Sequence, residues 1–313
     1  MGTVHFNIYK KLENVDFVAA CDVRLEMLKE KAGKNSPVRL YADYEEMLQK
    51  EKPDIVDICT PTYLHAEQAI MAMESGSHVL SEKPMALSSA DCDKILAAMN
   101  KTGKHYMTAQ VVRFMNAYAY LRDVIESKKY GKLESLTMRR FGRTPRWKWN
   151  NWMMEKALSG HVTMDVMLHD VDFVQSVLGD PLTISGIYRE MQENTNYAFV
   201  NFTYPDCAVS METGWYNADI PFTADFKAVF ENGYLCLNDK KQLLDCGTVV
   251  EFDNSGVIAE TGINLSNVDG FDTEILHFID CVEKDQNSPV VPPESSAKTV
   301  TIMEKIINSL TKV

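Results

Sequence analysis

The chain has no Cys-x-x-Cys pair, no excess of basic residues, no apolar run of membrane length and no glycine-rich phosphate loop. Each absence narrows the possible functions. The 7 cysteines are scattered, at positions 21, 59, 92, 207, 236, 246 and 281. Several sit in apolar runs such as Ile55-Val56-Asp57-Ile58-Cys59, which reads as buried free thiols in a reducing compartment rather than a disulfide framework. Lys+Arg number 32 against 44 Asp+Glu, for a net charge of −12. No basic excess is available to neutralise a phosphate backbone, so nucleic acid is not expected as a partner. A small anion at a local basic site stays open. No stretch approaches the ~20 apolar residues that cross a bilayer. The opening Met1-Gly2-Thr3-Val4-His5-Phe6 is not a signal peptide. A cytoplasmic location with no membrane partner is the expectation.

What is present is ordinary for a folded protein: 313 residues, 45% hydrophobic and 24% charged, enough for two domains or one large one. The first third alternates strand and helix signals. Val15 to Asp22, Val38 to Tyr41, Ile55 to Cys59, Val79-Leu80 and His105 to Gln110 read as strands. Between them lie helical stretches: Arg24 to Lys31, Tyr44 to Lys50 behind an Asp43 cap, Tyr63 to Ser75, and Ser89 to Thr102 closed by Gly103. Alternation at this spacing implies right-handed crossovers and a mostly parallel sheet. After residue 113 the pattern changes to a long helix, Phe114 to Ser127, and then to longer alternating strands from Leu133 to Leu237, with turns at Pro205-Asp206, Glu231-Asn232-Gly233 and Asp239-Lys240. A helix from Thr163 to Leu178 interrupts them, and helices at Asp272 to Lys284 and Ser295 to Leu310 close the chain. The fold class expected is α/β. A Rossmann-type parallel sheet over 1–113 is followed, over 114–313, by an α+β domain with an open, mainly antiparallel sheet.

Several constellations carry chemistry. Ser81-Glu82-Lys83-Pro84 falls where a parallel strand ends, and ligands of open α/β sheets gather at the carboxyl ends of strands. A lysine there can hold an ammonium over a substrate. Asp22 ends the first strand-like run; it is equally a ribose-binding acid or a helix cap. Arg24 beside it leaves room for a 2′-phosphate. Thr60-Pro61-x-x-x-His65 can border a cofactor, with His65 also readable as a cap or packing residue. Asp165 and His169 share one face of their helix at a spacing of four. They read as an oriented proton-transfer pair or as a structural one. His161, Asp165 and His169 could form a stripe, but a convincing ligand set for zinc is missing, so no metal is expected. Trp147, Trp149, Asn150, Asn151 and Trp152 suit a sugar ring or ordinary packing. Gln110 and Arg113 follow the last parallel strand, on the ligand side.

Taken in order, Ala20-Cys21-Asp22, Cys59-Thr60-Pro61-x-x-x-His65, Glu82-Lys83-Pro84, Gln110-x-x-Arg113-Phe114, Trp152 and Asp165-x-x-x-His169-Asp170-x-Asp172 resemble the Gfo/Idh/MocA family of nicotinamide-dependent oxidoreductases over nearly the whole chain. The resemblance implies NAD as cofactor, with NADP possible, and a sugar or polyol as substrate. It also implies a homodimer or homotetramer built on the antiparallel sheet. It implies that Lys83 steadies an alkoxide, that His169 is the general base, and that Asp165 orients His169 or holds a substrate hydroxyl. Gly2, Asp22, Thr60, Pro61, His65, Glu82 and Gln110 would meet the cofactor. Arg113 and Trp152 would join Lys83, Asp165 and His169 around the substrate.

Two departures stand out. Gly160-His161 replaces a glycine pair. Gly2 alone remains of the phosphate-binding loop, and the family's first strand, which lies between the Val15–Cys21 and Ile55–Cys59 strands, has no counterpart, so an interrupted sheet with apolar edges is expected. An N-terminally truncated enzyme, a shortened non-redox relative or scaffold, and a rearranged segment filling the slot are the three explanations. A relative that oxidises a sugar transiently and eliminates a glycosidic bond is the alternative chemistry.

Overall fold

The computed structural model describes residues 1–145, 149–191, 196–252 and 270–313. Trp147 therefore lies outside the described residues.

The first half comprises α1 (Gly2–Tyr9), β1 (Ala19–Cys21), α2 (Leu25–Ala32), β2 (Arg39–Tyr41), α3 (Tyr44–Glu51), β3 (Ile55–Ile58), α4 (His65–Glu74), β4 (His78–Glu82), α5 (Ser89–Thr102) and β5 (Tyr106–Ala109). The caps act as their chemistry dictates. The Asp43 side chain accepts from the Glu46 amide at the start of α3, and Ser88 accepts from the Asp91 amide at the start of α5. Gly103 ends α5 at φ 68°, a left-handed conformation that favours glycine. Every strand pair here is parallel, β1 with β2 and β3 with β4 with β5, as the alternating pattern required.

The sheet is interrupted where expected. Among the described residues β1–β2 and β3–β4–β5 are separate sheets. Helix α1 lies against both. Its Phe6 packs with Leu28, Ala32, Phe17, Ala20 and Leu40 around the first sheet. Its Ile8 packs with Leu80, Met107 and Ile55 of the second.

The second half comprises α6 (Asn116–Ser127), β6 (Leu133–Arg143), α7 (Lys156–Ser159), α8 (Leu168–Leu178), β7 (Thr183–Glu190), β8 (Asn196–Thr203), β9 (Ala208–Tyr216), β10 (Thr223–Phe230), β11 (Gly233–Leu237), β12 (Leu243–Asp245), β13 (Thr248–Val249), α9 (Gly270–Glu283), α10 (Pro293–Ser309) and β14 (Thr311–Lys312). The strands form one sheet in the order β13-β12-β11-β10-β6-β9-β8-β7-β14. Two of its pairs, β6 with β9 and β7 with β14, are parallel, and the rest are antiparallel. On β8 the alternation is explicit: Ala198, Val200 and Phe202 are buried, while Phe199, Asn201 and Thr203 face out.

Two expected helices are each split. The stretch expected as one helix from Phe114 divides into a 3-10 turn at Val111–Phe114 and α6, with Met115 in extended backbone between them. The stretch Thr163 to Leu178 opens as a π-helical turn, Thr163–Met167, before α8. π turns insert one residue into a helix and recur at functional sites. Helices α9 and α10 return to the first half. Ile275 and Phe278 of α9 pack on Leu80 and Met107, and Glu304 of α10 accepts from the Ser89 amide and hydroxyl. No helix among the described residues is long and apolar enough to cross a membrane.

Candidate active site

β4 ends in Glu82, and the turn that follows carries Lys83 against the π turn of the other half. Lys83 Nζ donates to Asp165 Oδ1 at 2.8 Å and to the Asp165 main-chain oxygen at 2.6 Å. The Lys83 side chain is 13% exposed and that of Asp165 28%, so the pair is partly open to solvent rather than deep in a core. This places a β4 lysine against a residue contributed 82 positions later. Spacing alone joined Asp165 to His169. In the structure the Asp165 carboxylate is held by Lys83.

His169 stands at the head of α8. Its Nδ1 is buried without a hydrogen-bond partner. Burial pulls its pKa well below the ordinary imidazole range, and the charges of Lys83 and Arg140 push the same way. It is thus a neutral imidazole beside an ammonium, a suitable proton acceptor at neutral pH.

Just after His169 in sequence, two carboxylates of α8 enter buried ion bridges. Asp170 accepts from Arg140 Nε and a terminal guanidinium nitrogen at 3.0 and 2.8 Å. The Arg140 guanidinium also donates to the Tyr118 hydroxyl. Asp172 accepts from Arg113 Nε at 2.7 Å and from its terminal nitrogen at 2.8 Å, and also from the Thr299 hydroxyl. Arg113, expected at the substrate, lies in this bridge. Its remaining donors go to the Val290 carbonyl and Ser295 hydroxyl, and it is 5% exposed. Its position after β5 suggested a ligand, but burial makes a matched carboxylate the stronger demand. Arg140 had no sequence signal beyond its place on an alternating strand.

The expected cofactor residues form a second layer. His65 is buried, with Nδ1 2.8 Å from the Pro84 carbonyl and Nε2 3.0 Å from the Thr60 carbonyl. Burial lowers its pKa despite both contacts. We read it as neutral, since a single N–H suffices to tie one loop while packing fixes the other. His65 thus joins the Thr60-Pro61 loop to the Lys83-Pro84 turn. Thr60 donates to Gln68. Gln110 is buried and precedes the turn beginning at Val111, with no side-chain capping bond. Glu82 is buried, accepts from the Lys83 amide at 3.1 Å, and faces His5 Nε2 at 3.3 Å. Trp152 packs partly buried on Met153, Val162, Val166 and Trp215.

Asp22 follows β1 and is already engaged. Oδ1 accepts from the Arg24 amide and Nε at 2.8 and 3.0 Å, and Oδ2 from a terminal nitrogen at 2.9 Å. Burial raises its pKa, but these bonds outweigh that and leave it lowered, so the carboxylate is charged. α1 begins at Gly2 without a side-chain cap, which leaves its first amides to an outside acceptor. A Cβ at Gly2 would meet Cys59 Cβ at an ordinary 3.5 Å. An ionised acid after β1 and a helix start without a side-chain cap are the group types that a dinucleotide's ribose and phosphates take. An Asp22→Ala chain should show a KM for NAD raised by about 10-fold or more at little cost in kcat, since a hydrogen bond to a charged group is worth ~1.5–3 kcal/mol. Steady-state kinetics with varied NAD checks this.

Comparison with known proteins agrees with this architecture. Residues 1–110 match the family model described as oxidoreductase family, NAD-binding Rossmann fold, and residues 118–235 match the GFO/IDH/MocA C-terminal domain. The chain is 29% identical over 178 residues to D-glucoside 3-dehydrogenase of Escherichia coli (strain K12), covering 57% of this chain and 51% of that protein. It is 27% identical over 180 residues to myo-inositol 2-dehydrogenase of Thermotoga maritima, covering 58% and 52%. In these matches the chain spans about half the length of its curated relatives. An oxidoreductase from Agrobacterium radiobacter, solved in complex with NAD+, L-tartaric acid and magnesium, superposes with TM-score 0.82 at 15% identity, covering 98% of this chain and 92% of that one. That is a likeness of fold.

Proposed function

Because the chain belongs to the Gfo/Idh/MocA family of oxidoreductases, we propose that it is an NAD-dependent dehydrogenase moving a hydride between the CH–OH carbon of a sugar or polyol and nicotinamide. The observation that carries this reading is Lys83 clamped on Asp165 beside a half-buried His169 held neutral, at the carboxyl end of β4.

In the oxidising direction His169 accepts the hydroxyl proton. Lys83 lends its ammonium charge to the developing alkoxide oxygen, an interaction worth most in a site shielded from water. Asp165 keeps that ammonium aimed through two contacts, one from its side chain and one from its main chain. When bound, nicotinamide supplies the hydride acceptor. Asp22 would hold the adenosine ribose, with Gly2, Thr60, Pro61, His65, Glu82 and Gln110 bordering the rest. Arg24, held on Asp22 here, would swing to a 2′-phosphate if NADP were taken. Trp152 would bound the sugar. Reduction of a ketone uses the same groups in reverse.

Lys83→Ala should lower kcat by about 100- to 1,000-fold, the usual cost of one preorganised charge donor, with a smaller change in KM. Steady-state assays on a polyol that the unaltered chain oxidises decide this; unchanged kcat contradicts the role. We further propose a cytoplasmic enzyme that self-associates through the outer face of the large sheet, where Tyr197 and Phe199 pack edge to face and Phe199 is 38% exposed. Sedimentation of a Phe199→Glu chain as monomers, against dimers or tetramers for the unaltered chain, is the expected result.

A further inference from the structure

His5 has no role in the chemistry above, yet it is among the more constrained side chains of the first half. It projects from α1 between two carboxylates and is 2% exposed. Nδ1 lies 2.7 Å from Asp57 Oδ2, and Nε2 lies 3.3 Å from Glu82 Oε1. Nε2 is buried and makes no hydrogen bond of acceptable geometry. On the other side Cys59 Sγ is 3.5 Å from Asp57 Oδ1. One ligand atom each of His5, Asp57 and Cys59 lie within 4.8 Å of one another.

Two carboxylates face this one imidazole; Lys83 and the N-terminal ammonium act on Glu82 as well, which leaves Asp57 and His5 as a buried pair open to a cation. Imidazole nitrogen, thiolate sulfur and carboxylate oxygen are the donor types of zinc. Zinc bonds of 2.0–2.3 Å put tetrahedral ligands roughly 3.3–3.8 Å apart, a spacing these atoms reach with small side-chain shifts. A ligating histidine commonly gives its other ring N–H to a carboxylate, and Glu82 stands opposite Nε2 to receive it.

We propose that His5 Nδ1, Asp57 and the Cys59 thiolate form a zinc-class cation site, with Glu82 orienting His5 and water in the fourth position. Binding displaces the Cys59 thiol proton and any proton on His5 Nδ1, and these pass to solvent. The cation fastens α1 to β3, and Glu82 extends the link to the neighbouring β4. Sequence spacing could not show this set, because His5 is 52 positions from Asp57.

Cobalt(II) titrated into the intact chain is the test. One equivalent should give a tetrahedral d–d spectrum with a thiolate-to-cobalt charge-transfer band, and zinc should displace it. Cys59→Ser should remove the charge-transfer band. Glu82→Gln should weaken cobalt binding by about 10- to 100-fold, as loss of an outer-sphere partner does. Cys246→Ala, which alters an exposed thiol, should leave the spectrum unchanged. Zinc should raise the unfolding temperature of the unaltered chain, a reading that needs no variant to fold. No charge-transfer band in the unaltered chain, a band that survives Cys59→Ser, or an unfolding temperature indifferent to zinc overturns the site and leaves His5 an imidazolium between two acids.

Discussion

Replacing His169 with alanine is expected to cut turnover by about 100- to 10,000-fold, the usual share of a positioned general base, while the chain still folds. The second half of that statement follows from the packing. His169 Nδ1 has no hydrogen-bond partner, so removing the ring strands no buried group. The pH profile makes the role specific. Burial first, then Lys83 and Arg140, hold the imidazole's pKa well below its usual value. The base is active when neutral, so activity is present above that lowered pKa and is lost as pH falls through it. kcat/KM for oxidation should therefore stay level through the range where a free imidazole titrates, and fall only in more acid solution. An acid limb at or above the ordinary imidazole value would assign proton transfer to another group.

The second large effect is on stability. Asp172→Ala should destabilise the chain by about 3–5 kcal/mol, because it leaves the Arg113 guanidinium buried without its anion. The two side chains are only 4% and 1% exposed and meet through two hydrogen bonds. Ser295 and Thr299 of α10 join the same network, so the loss also loosens α10 on α8. Urea unfolding should show a lower midpoint at nearly constant slope. Changing both partners, Arg113→Met with Asp172→Leu, should recover much of the loss, as apolar replacements of buried ion pairs often do. If the single change costs less than about 1 kcal/mol, Arg113 is not structural, and the substrate role suggested by its place after β5 returns.

These two predictions mark where sequence reading was strong and where it was weak. Ser89 to Thr102 was legible to the residue, because a serine cap and a C-terminal glycine are local signals. The strand Ala208 to Tyr216 was equally plain from alternation alone. The interrupted parallel sheet was legible too, since it followed from which strand signals were present and in what order. The π turn was not, because its apolar residues follow the same broad pattern as an α-helix and the extra residue shows only in the hydrogen bonds. Long-range partnerships were hidden for a different reason. Lys83 and Asp165 each carry a sequence signal, but nothing local states that they meet. Asp170 and Asp172 carry no role in sequence, because their partners, Arg140 and Arg113, come from another strand and another turn. His5 is the extreme case, an unremarkable residue in sequence that the fold sets between Asp57 and Glu82.

If the Lys83–Asp165–His169 cluster drives hydride transfer to NAD, the chain must form NADH. The direct measurement is NADH formation by the chain from a panel of sugars and polyols, each also supplied with deuterium on the carbinol carbon, beside a fluorescence titration that confirms cofactor binding. The account predicts NADH from at least one compound, a slower rate with deuterium, and loss of both signals in His169→Ala. Bound cofactor with no NADH from any compound would contradict it, and release of a free sugar without net NADH would point to oxidation followed by elimination.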